Sequence, residues 1–336
     1  MGGCSADRKL ARAARVAWAA ILLLAAGMLA AAPRAAWAQA DWPRQPIRLL
    51  VGFAAGGGND LFARLVAQKL SEKLGQPMVV ENRPGASSIL AFELAARAAP
   101  DGHTLVVTPF GATIINPGVY AKLPYDPAAL QPISIVATFP FVMTVKADLP
   151  AKSIAELVAH AKANPDKANY GSSGVTFQLL GEHFKALTGA PFEHIPVKSL
   201  GEAMQGVLNG QFMMSFVDPG PLMGHLKAGR VRALAHSGSA RFAELPDVPT
   251  FTEVGLTGMV MDSFMGLKGP KGMPDAVVRR LERELVALTT EADFGARLKT
   301  MGLVPVGSTS AQFSERIAKE APFWAEVAKK ANIKVQ

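Results

Sequence analysis

The chain has 336 residues, 49% of them hydrophobic, with 35 Lys and Arg, 27 Asp and Glu and one cysteine. Five of the basic residues and one of the acidic ones fall within residues 1–40, so the remainder carries 30 against 26, a charge of +4 where the whole chain has +8. So even a balance argues against nucleic acid as a partner, and the cysteine-free remainder must draw its stability from packed cores, not disulfides.

Residues 1–40 read as a cleavable export signal. Arg8, Lys9, Arg12 and Arg15 form a basic start, Val16 to Ala32 an apolar run too short for a comfortable membrane span, and Ala36-Trp37-Ala38-Gln39-Ala40 offers cleavage after Ala38 or Ala40. Cys4 precedes the apolar run, so it is not a lipid-bearing cysteine of the kind that follows one. The expected location is the periplasm. What remains is long enough for two lobes.

From Ile47 to Val51 the residues favour a strand, Gly56-Gly57-Gly58 break it, and Asn59 or Asp60 can cap a helix whose apolar residues are Leu61, Leu65, Val66 and Leu70. A strand, a glycine loop and a helix aim unpaired N–H groups and the positive helix end at one point, which suits an anion. It is not a nucleotide loop, because no G-K-[ST] follows and the G-x-G-x-x-G spacing is missing. Met78 to Glu81 reads as a strand, Ser87 to Ala98 as a helix and Thr104 to Thr108 as a strand. Such a series implies a parallel sheet with right-handed crossovers and ligands at the carboxyl ends of its strands. The loops at those ends are Phe53 to Asn59, Asn82 to Ser88 and Pro109 to Asn116, and only Arg83 among them is positively charged.

Ile133 to Lys146 is a long β-prone run interrupted by Pro140, which suits a strand leaving one lobe for another. A second series follows. Ser153 caps a helix with Glu156 at the capping-box position, Asn169-Tyr170-Gly171 runs into Ser172-Ser173-Gly174, and a helix spans about Phe177 to Thr188. His194–Val197 is a strand, Leu200–Leu208 a helix, Phe212–Val217 a strand, Leu222–Ala228 a helix and Arg232–His236 a strand. Met259 to Leu267 is a return strand, and Asp275–Thr289 and Gln312–Lys330 are amphipathic helices. The expected division is residues 41–140 and 262–336 in lobe one and 141–261 in lobe two, an α/β protein with two crossing segments as a hinge. No internal sequence repeat is visible. The six histidines lack metal-ligand spacing, so no metal is expected.

The ordered motifs resemble the periplasmic receptors of tripartite tricarboxylate transporters, the Bug family. They include Pro43-Arg44-Gln45-Pro46-Ile47-Arg48, Gly56-Gly57-Gly58-Asn59-Asp60-Leu61-Phe62-Ala63-Arg64, Val80-Glu81-Asn82-Arg83-Pro84-Gly85-Ala86 and Ala99-Pro100-Asp101-Gly102-His103. Leu123-Pro124-Tyr125-Asp126-Pro127, Asn169-Tyr170-Gly171-Ser172-Ser173-Gly174 and Leu245-Pro246-Asp247-Val248-Pro249-Thr250 continue the match nearly to Ile333. The resemblance implies a two-lobed type II, Venus-flytrap clamshell that binds a small carboxylate without a cofactor. It also implies a monomer that presents its solute to membrane permease subunits. Carried over residue by residue, the ligand site is Phe53, Ala54, Ala55, Gly56, Gly57, Gly58, Asn59 and Asp60 in the first loop and Phe110, Gly111 and Ala112 after the third strand. Lobe two adds Ser172, Ser173, Gly174, Val175, Lys198 and Asp218.

Departures from the family pattern suggest a more apolar cleft and a smaller or more hydrophobic monocarboxylate. Ala86-Ser87-Ser88 replaces a glycine-rich stretch, Val197-Lys198-Ser199 lacks a tyrosine, Val217-Asp218 replaces an Asp-Asn pair, Phe264 replaces a tryptophan and Phe110 a small or polar residue. A receptor docking on a membrane sensor kinase is the alternative output. A secreted hydrolase is a remote one, since there is no G-x-S-x-G or H-E-x-x-H, and the His236-Ser237 pair has no visible partner.

Overall fold

A computed structural model describes residues 42–335, and the export-signal reading of residues 1–40 lies outside them. In chain order the strands are β1 (Ile47–Val51), β2 (Met78–Asn82), β3 (Thr104–Pro109), β4 (Leu130–Pro140), β5 (Val142–Lys146) and β6 (Asn169–Ser172). They continue with β7 (Glu193–Pro196), β8 (Ser215–Val217), β9 (Val231–His236), β10 (Asp262–Pro270) and β11 (Val304–Pro305). The helices are α1 (Gly58–Leu74), α2 (Ile89–Ala96), α3 (Asn116–Val119), α4 (Ile154–Ala163) and α5 (Val175–Thr188). After them come α6 (Leu200–Leu208), α7 (Pro219–Lys227), α8 (Asp275–Thr289), α9 (Ala292–Thr300) and α10 (Ser310–Lys330).

The first sheet has the order β11-β4-β10-β3-β1-β2. β2, β1 and β3 are parallel, and β10 runs antiparallel between β3 and β4. Ile47, Leu49, Leu50 and Val51 are fully buried, as expected of a parallel strand covered on both faces. One covering helix is α1, which buries Phe62, Leu65, Val66 and Leu70, while the predicted face residue Leu61 is half exposed. α2 and its surroundings supply Phe92, Ile89 and Ala95, which pack with Leu50, Val106 and Tyr125.

The second sheet repeats this topology. β8, β5 and β9 are paired with β5 antiparallel to both neighbours, β6 and β7 are parallel, and a parallel bridge from Tyr170 to Met214 links β6 to the approach of β8. The order is therefore β7-β6-β8-β5-β9, with β6, β7 and β8 matching β1, β2 and β3. In each sheet the one antiparallel strand among these five arrives from the other: β5 follows β4 across Phe141, and β10 follows Met261. The repeat is one of connectivity, so it leaves no repeated sequence behind.

Ser237 ties these two crossings together. Its hydroxyl accepts from the Phe141 N–H at 2.9 Å and donates to the Met261 carbonyl at 2.6 Å. Its backbone adds Ser237 N–H to Phe141 carbonyl at 2.9 Å and Met261 N–H to Ser237 carbonyl at 2.7 Å. His236 is fully buried, and its Nδ1 accepts from Gly238 N–H at 3.1 Å. Ser237 thus holds the hinge.

Three stretches differ from the predicted elements. The predicted helix at Ser87 starts at Ile89, because Ser87 and Ser88 take left-handed backbone with φ 55° and 75°. The Ser88 side chain lies where Gly52 leaves room: a Cβ on Gly52 would come within 2.4 Å of it. Gly111–Ile115 forms a turn of π-helix leading into α3, and α9 with β11 fills the stretch between the last two predicted helices.

Candidate functional site

The carboxyl ends of β1 and β3 in the first sheet, and of β6 and β8 in the second, carry the predicted site segments. Equivalent strands are followed by equivalent devices. After β1 the chain passes Gly56 (φ 84°) and enters α1 through Gly57, with no side-chain cap. After β6 it passes Gly174 (φ 79°) and enters α5 at Val175, again with no side-chain cap. Two helix N-termini are therefore left with main-chain donors that no side chain of the capping residue satisfies.

The loop after β3 meets the start of α5, and the start of α7 meets the first lobe, at the boundary between the sheets. A Cβ on Gly111, after β3, would lie 2.6 Å from Thr176 Oγ1, in the first turn of α5. At a second point, a Cβ on Gly220, just after Asp218, would lie 3.0 Å from the Met301 carbonyl oxygen, which belongs to the run between α9 and β11. Phe177 of α5 packs edge-on against the crossing residue Phe141 at 4.9 Å between ring centres.

Around the first loop the fold is held by Asp60. Its carboxylate accepts from Gly56 N–H at 2.8 Å, Arg64 Nε at 2.9 Å and Asn82 Nδ2 at 2.9 Å. Asn82 Nδ2 also donates to the Phe53 carbonyl at 3.0 Å. The Arg64 guanidinium above all, helped by the Gly56 and Asn82 bonds against the opposing effect of burial, lowers the Asp60 carboxyl to about 2. Asp60 thus organises the loop, and the Gly56 N–H predicted as a ligand donor is already taken. Arg64 and Asn82 are the functional supports the sequence reading left without a role at the site. The spacing Asp60 to Arg64, one helical turn, was the signal available.

Ala54 to Gly58 stay exposed. A Cβ on Gly58 would meet nothing within 4 Å and the residue does not need a positive φ, so neither packing nor backbone geometry calls for glycine there. Asn59 is half-buried and its Oδ1 is enclosed without a partner among the described residues. Thr108 Oγ1, at the end of β3, and Ser88 Oγ are enclosed in the same way.

Phe110 and Ala112 are placed differently from the expectation. Phe110 is 1% exposed and packs edge-on against Phe264 at 5.5 Å, while Phe264 is fully buried against Phe313 and under the Arg316 guanidinium. Ala112 lies in the core cluster with Phe92 and Tyr125. Both aromatic departures thus line the interior of the first lobe, which removes them as evidence for an apolar cleft. Gly111 remains at the boundary through its main chain.

In the second lobe, Ser172 is buried and shares a 2.8 Å hydrogen bond with His194 Nε2. Burial lowers the His194 pKa, so the ring is neutral near pH 7. Ser173 is half-buried, and Gly174 has open space around it. Lys198 is exposed, with its N–H donated to Glu202 Oε2 at 2.9 Å. Asp218 precedes α7 without capping it, and its Oδ1 is enclosed and unpartnered. Burial alone pushes that carboxyl up to about 7.

Two α/β lobes of like topology, joined by two stapled crossings, define a solute-binding clamshell. Residues 62–333 match the model of the tripartite tricarboxylate transporter family receptor, and the chain belongs to that family of periplasmic solute-binding receptors. A Cupriavidus necator relative described as "UPF0065 protein in gbd 5'region" is 36% identical over 295 residues, 87% of this chain and 88% of its own. A solved structure of an R. palustris protein with adipate is 31% identical with a TM-score of 0.78, covering 87% of this chain and 99% of that one. MatC from Rhodopseudomonas palustris, solved with bound malate, is 27% identical with a TM-score of 0.74 over 85% of this chain and 99% of that one.

Proposed function

We propose that this receptor captures a small carboxylate-bearing solute between lobes formed by residues 41–140 with 262–336 and by residues 141–261. One carboxylate would sit on the N-terminal turn of α1, held by the main-chain N–H groups of Gly57, Gly58 and Asn59, with the start of α5 closing over it. The observation that carries this reading is Gly58. Glycine is a poorer helix former than alanine, by about 0.5–1 kcal/mol in a helix interior and less at its first residue, and neither packing nor backbone geometry requires it at position 58. Room for a ligand to approach the main chain is the remaining use. The solved relatives with adipate and malate support a carboxylate.

Recognition by main-chain donors explains why the site needs no arginine. Hydrogen bonds to a charged group contribute about 1.5–3 kcal/mol each, so three can bias closure. Contacts added by the second lobe shift the population from open to closed. Ser172, with its hydroxyl on His194, acts through the shape of the loop, and Asp218 offers a carboxyl to a hydroxyl or amine on the solute. Binding and release without chemistry, as a monomer read by the membrane permease subunits after export, is the activity this arrangement serves.

Gly58→Ala separates site from fold. Its melting temperature should equal or exceed that of the natural protein, while its affinity for the best carboxylate in a thermal-shift screen falls at least fivefold. Saturation at 100 times the dissociation constant should add about 2.7 kcal/mol of stability. An alanine variant that binds as well as the natural protein would remove the α1 terminus from the site.

A further inference from the structure

We infer that the first lobe holds a second site, opening away from the two crossings, for an amphipathic carboxylate: its head group on Lys268, linked through one water to Thr113 and Tyr125, and its apolar body in the adjoining chamber. The site rests on a different part of the molecule from the reading above and stands or falls independently of it.

Lys268 lies on β10, opposite Val106 of β3 and Pro132 of β4. It is 4% exposed, and no carboxylate pairs with it among the described residues. Its Nζ stands 5.6 Å from the centre of the Phe313 ring. A buried ammonium served only by an aromatic face is costly, and burial lowers its pKa to about 8. It still carries its proton at neutral pH. Beside it, the Thr113 and Tyr125 hydroxyls are both enclosed without partners. All three groups line one small recess of about 10 Å³, closed from behind by Phe92 and Ala112.

That recess shares Thr113, Pro117, Leu130 and Lys268 with an outer chamber of about 540 Å³. The chamber is within the size range of small-molecule sites. Pro117, Leu130, Pro132 and Ile317 give it apolar walls, and the exposed Lys271 stands at its edge. The recess alone has room for about one water, which could serve the three polar groups but would leave the chamber unexplained. A carboxylate at the inner end of the chamber offers one oxygen to the ammonium and one to a water in the recess that serves the two hydroxyls, and a hydrocarbon body suits the walls. The chamber adjoins Leu130–Pro132 and Lys268–Lys271, at the opposite end of β4 and β10 from the crossing residues Pro140 and Asp262. Along β4 that is roughly 25 Å from the crossing, while Thr113 at its inner end stands two residues beyond Gly111.

The probes are octanoate, 3-phenylpropionate and the neutral n-octanol, titrated calorimetrically into the full exported protein and its variants. Octanoate should saturate, bind at least tenfold more weakly to Lys268→Met, and bind several-fold more weakly to Tyr125→Phe and Thr113→Val. Any octanoate held in the cleft would keep its affinity in Lys268→Met, and the component lost in Lys268→Met should persist in Gly58→Ala. Lys268→Met removes an unpaired buried charge, so the variant should fold at least as well. Failure of octanoate to saturate, equal affinity for n-octanol, or loss of binding in Gly58→Ala with none in Lys268→Met overturns the proposal.

Discussion

Asp60 takes the Gly56 N–H at 2.8 Å, so the first loop is shaped by a buried carboxylate that accepts three hydrogen bonds from its own lobe. Asp60→Asn keeps the shape but turns one acceptor into a donor facing Arg64 and Gly56. The lowered carboxyl, about 2 against an ordinary 3.8, contributes stability that is full above the ordinary value and is lost as pH falls through about 2. With Arg64 half exposed to solvent, about 1–2 kcal/mol is the expected size. Denaturant unfolding should therefore show the Asn variant weaker by that amount at pH 7, with the gap closing between pH 4 and pH 2. Carboxylate affinity should fall several-fold with it. A gap that stays constant down to pH 2 would show that the charge is not what holds the loop.

Ser237 staples two chain crossings with one hydroxyl. Ser237→Ala leaves the Phe141 N–H and Met261 carbonyl without this partner while the main-chain bonds around them persist. The expected loss is about 2 kcal/mol in urea unfolding. A looser hinge should also widen the difference in small-angle scattering radius between ligand-free and ligand-saturated protein. An alanine variant as stable as the natural protein, with unchanged scattering, would show that the main-chain bonds suffice.

The elements with strong periodicity were readable from sequence: Leu200–Leu208 and Asp275–Thr289 match their predicted bounds, and both strands flanking Pro140 were placed correctly. Leu61 was misassigned because it shares helical spacing with the buried face, yet Phe62 one position on is the residue that turns inward. Phe110 and Phe264 were read as cleft residues because substitution by a larger ring looks the same whether it points into a cleft or a core. Only the packing of Phe110 on Phe264 and of Phe264 on Phe313 decides it. Ser237 was visible only as a neighbour of His236, because its partners lie 96 and 24 residues away.

Ser87 tests the strained entry to α2. Its φ of 55° and ψ of 44° are those of a left-handed residue, and a non-glycine residue there costs about 1–2 kcal/mol. Ser87→Gly should therefore be about 1 kcal/mol more stable than Ser87→Ala, measured on the two variants side by side. At an ordinary helical position the order reverses, since glycine then costs about 0.5–1 kcal/mol. The sign alone settles the backbone state of this loop, which the family's usual glycines would adopt without strain.

Asp218 should make the ligand-free protein lose stability as pH rises. A carboxyl raised to about 7 from 3.8 holds its proton in the folded chain where the unfolded chain has released it. Stability therefore declines between about pH 4 and pH 7, and the full penalty, a few kcal/mol, is present above pH 7. Asp218→Asn removes the titration and keeps the shape, so its melting temperature should match the natural protein near pH 4 and exceed it by several degrees at pH 8. Solute binding gives the second reading. If the carboxylate form of Asp218 accepts a hydroxyl or ammonium from the solute, the Asn variant binds more weakly at pH 8 although its fold is more stable. If the protonated form donates to a second solute carboxylate, the natural protein's affinity falls as pH rises through 7 and the Asn variant's does not. Affinity indifferent to both the substitution and pH would leave Asp218 outside the site, and its buried charge would then be a matter of stability alone.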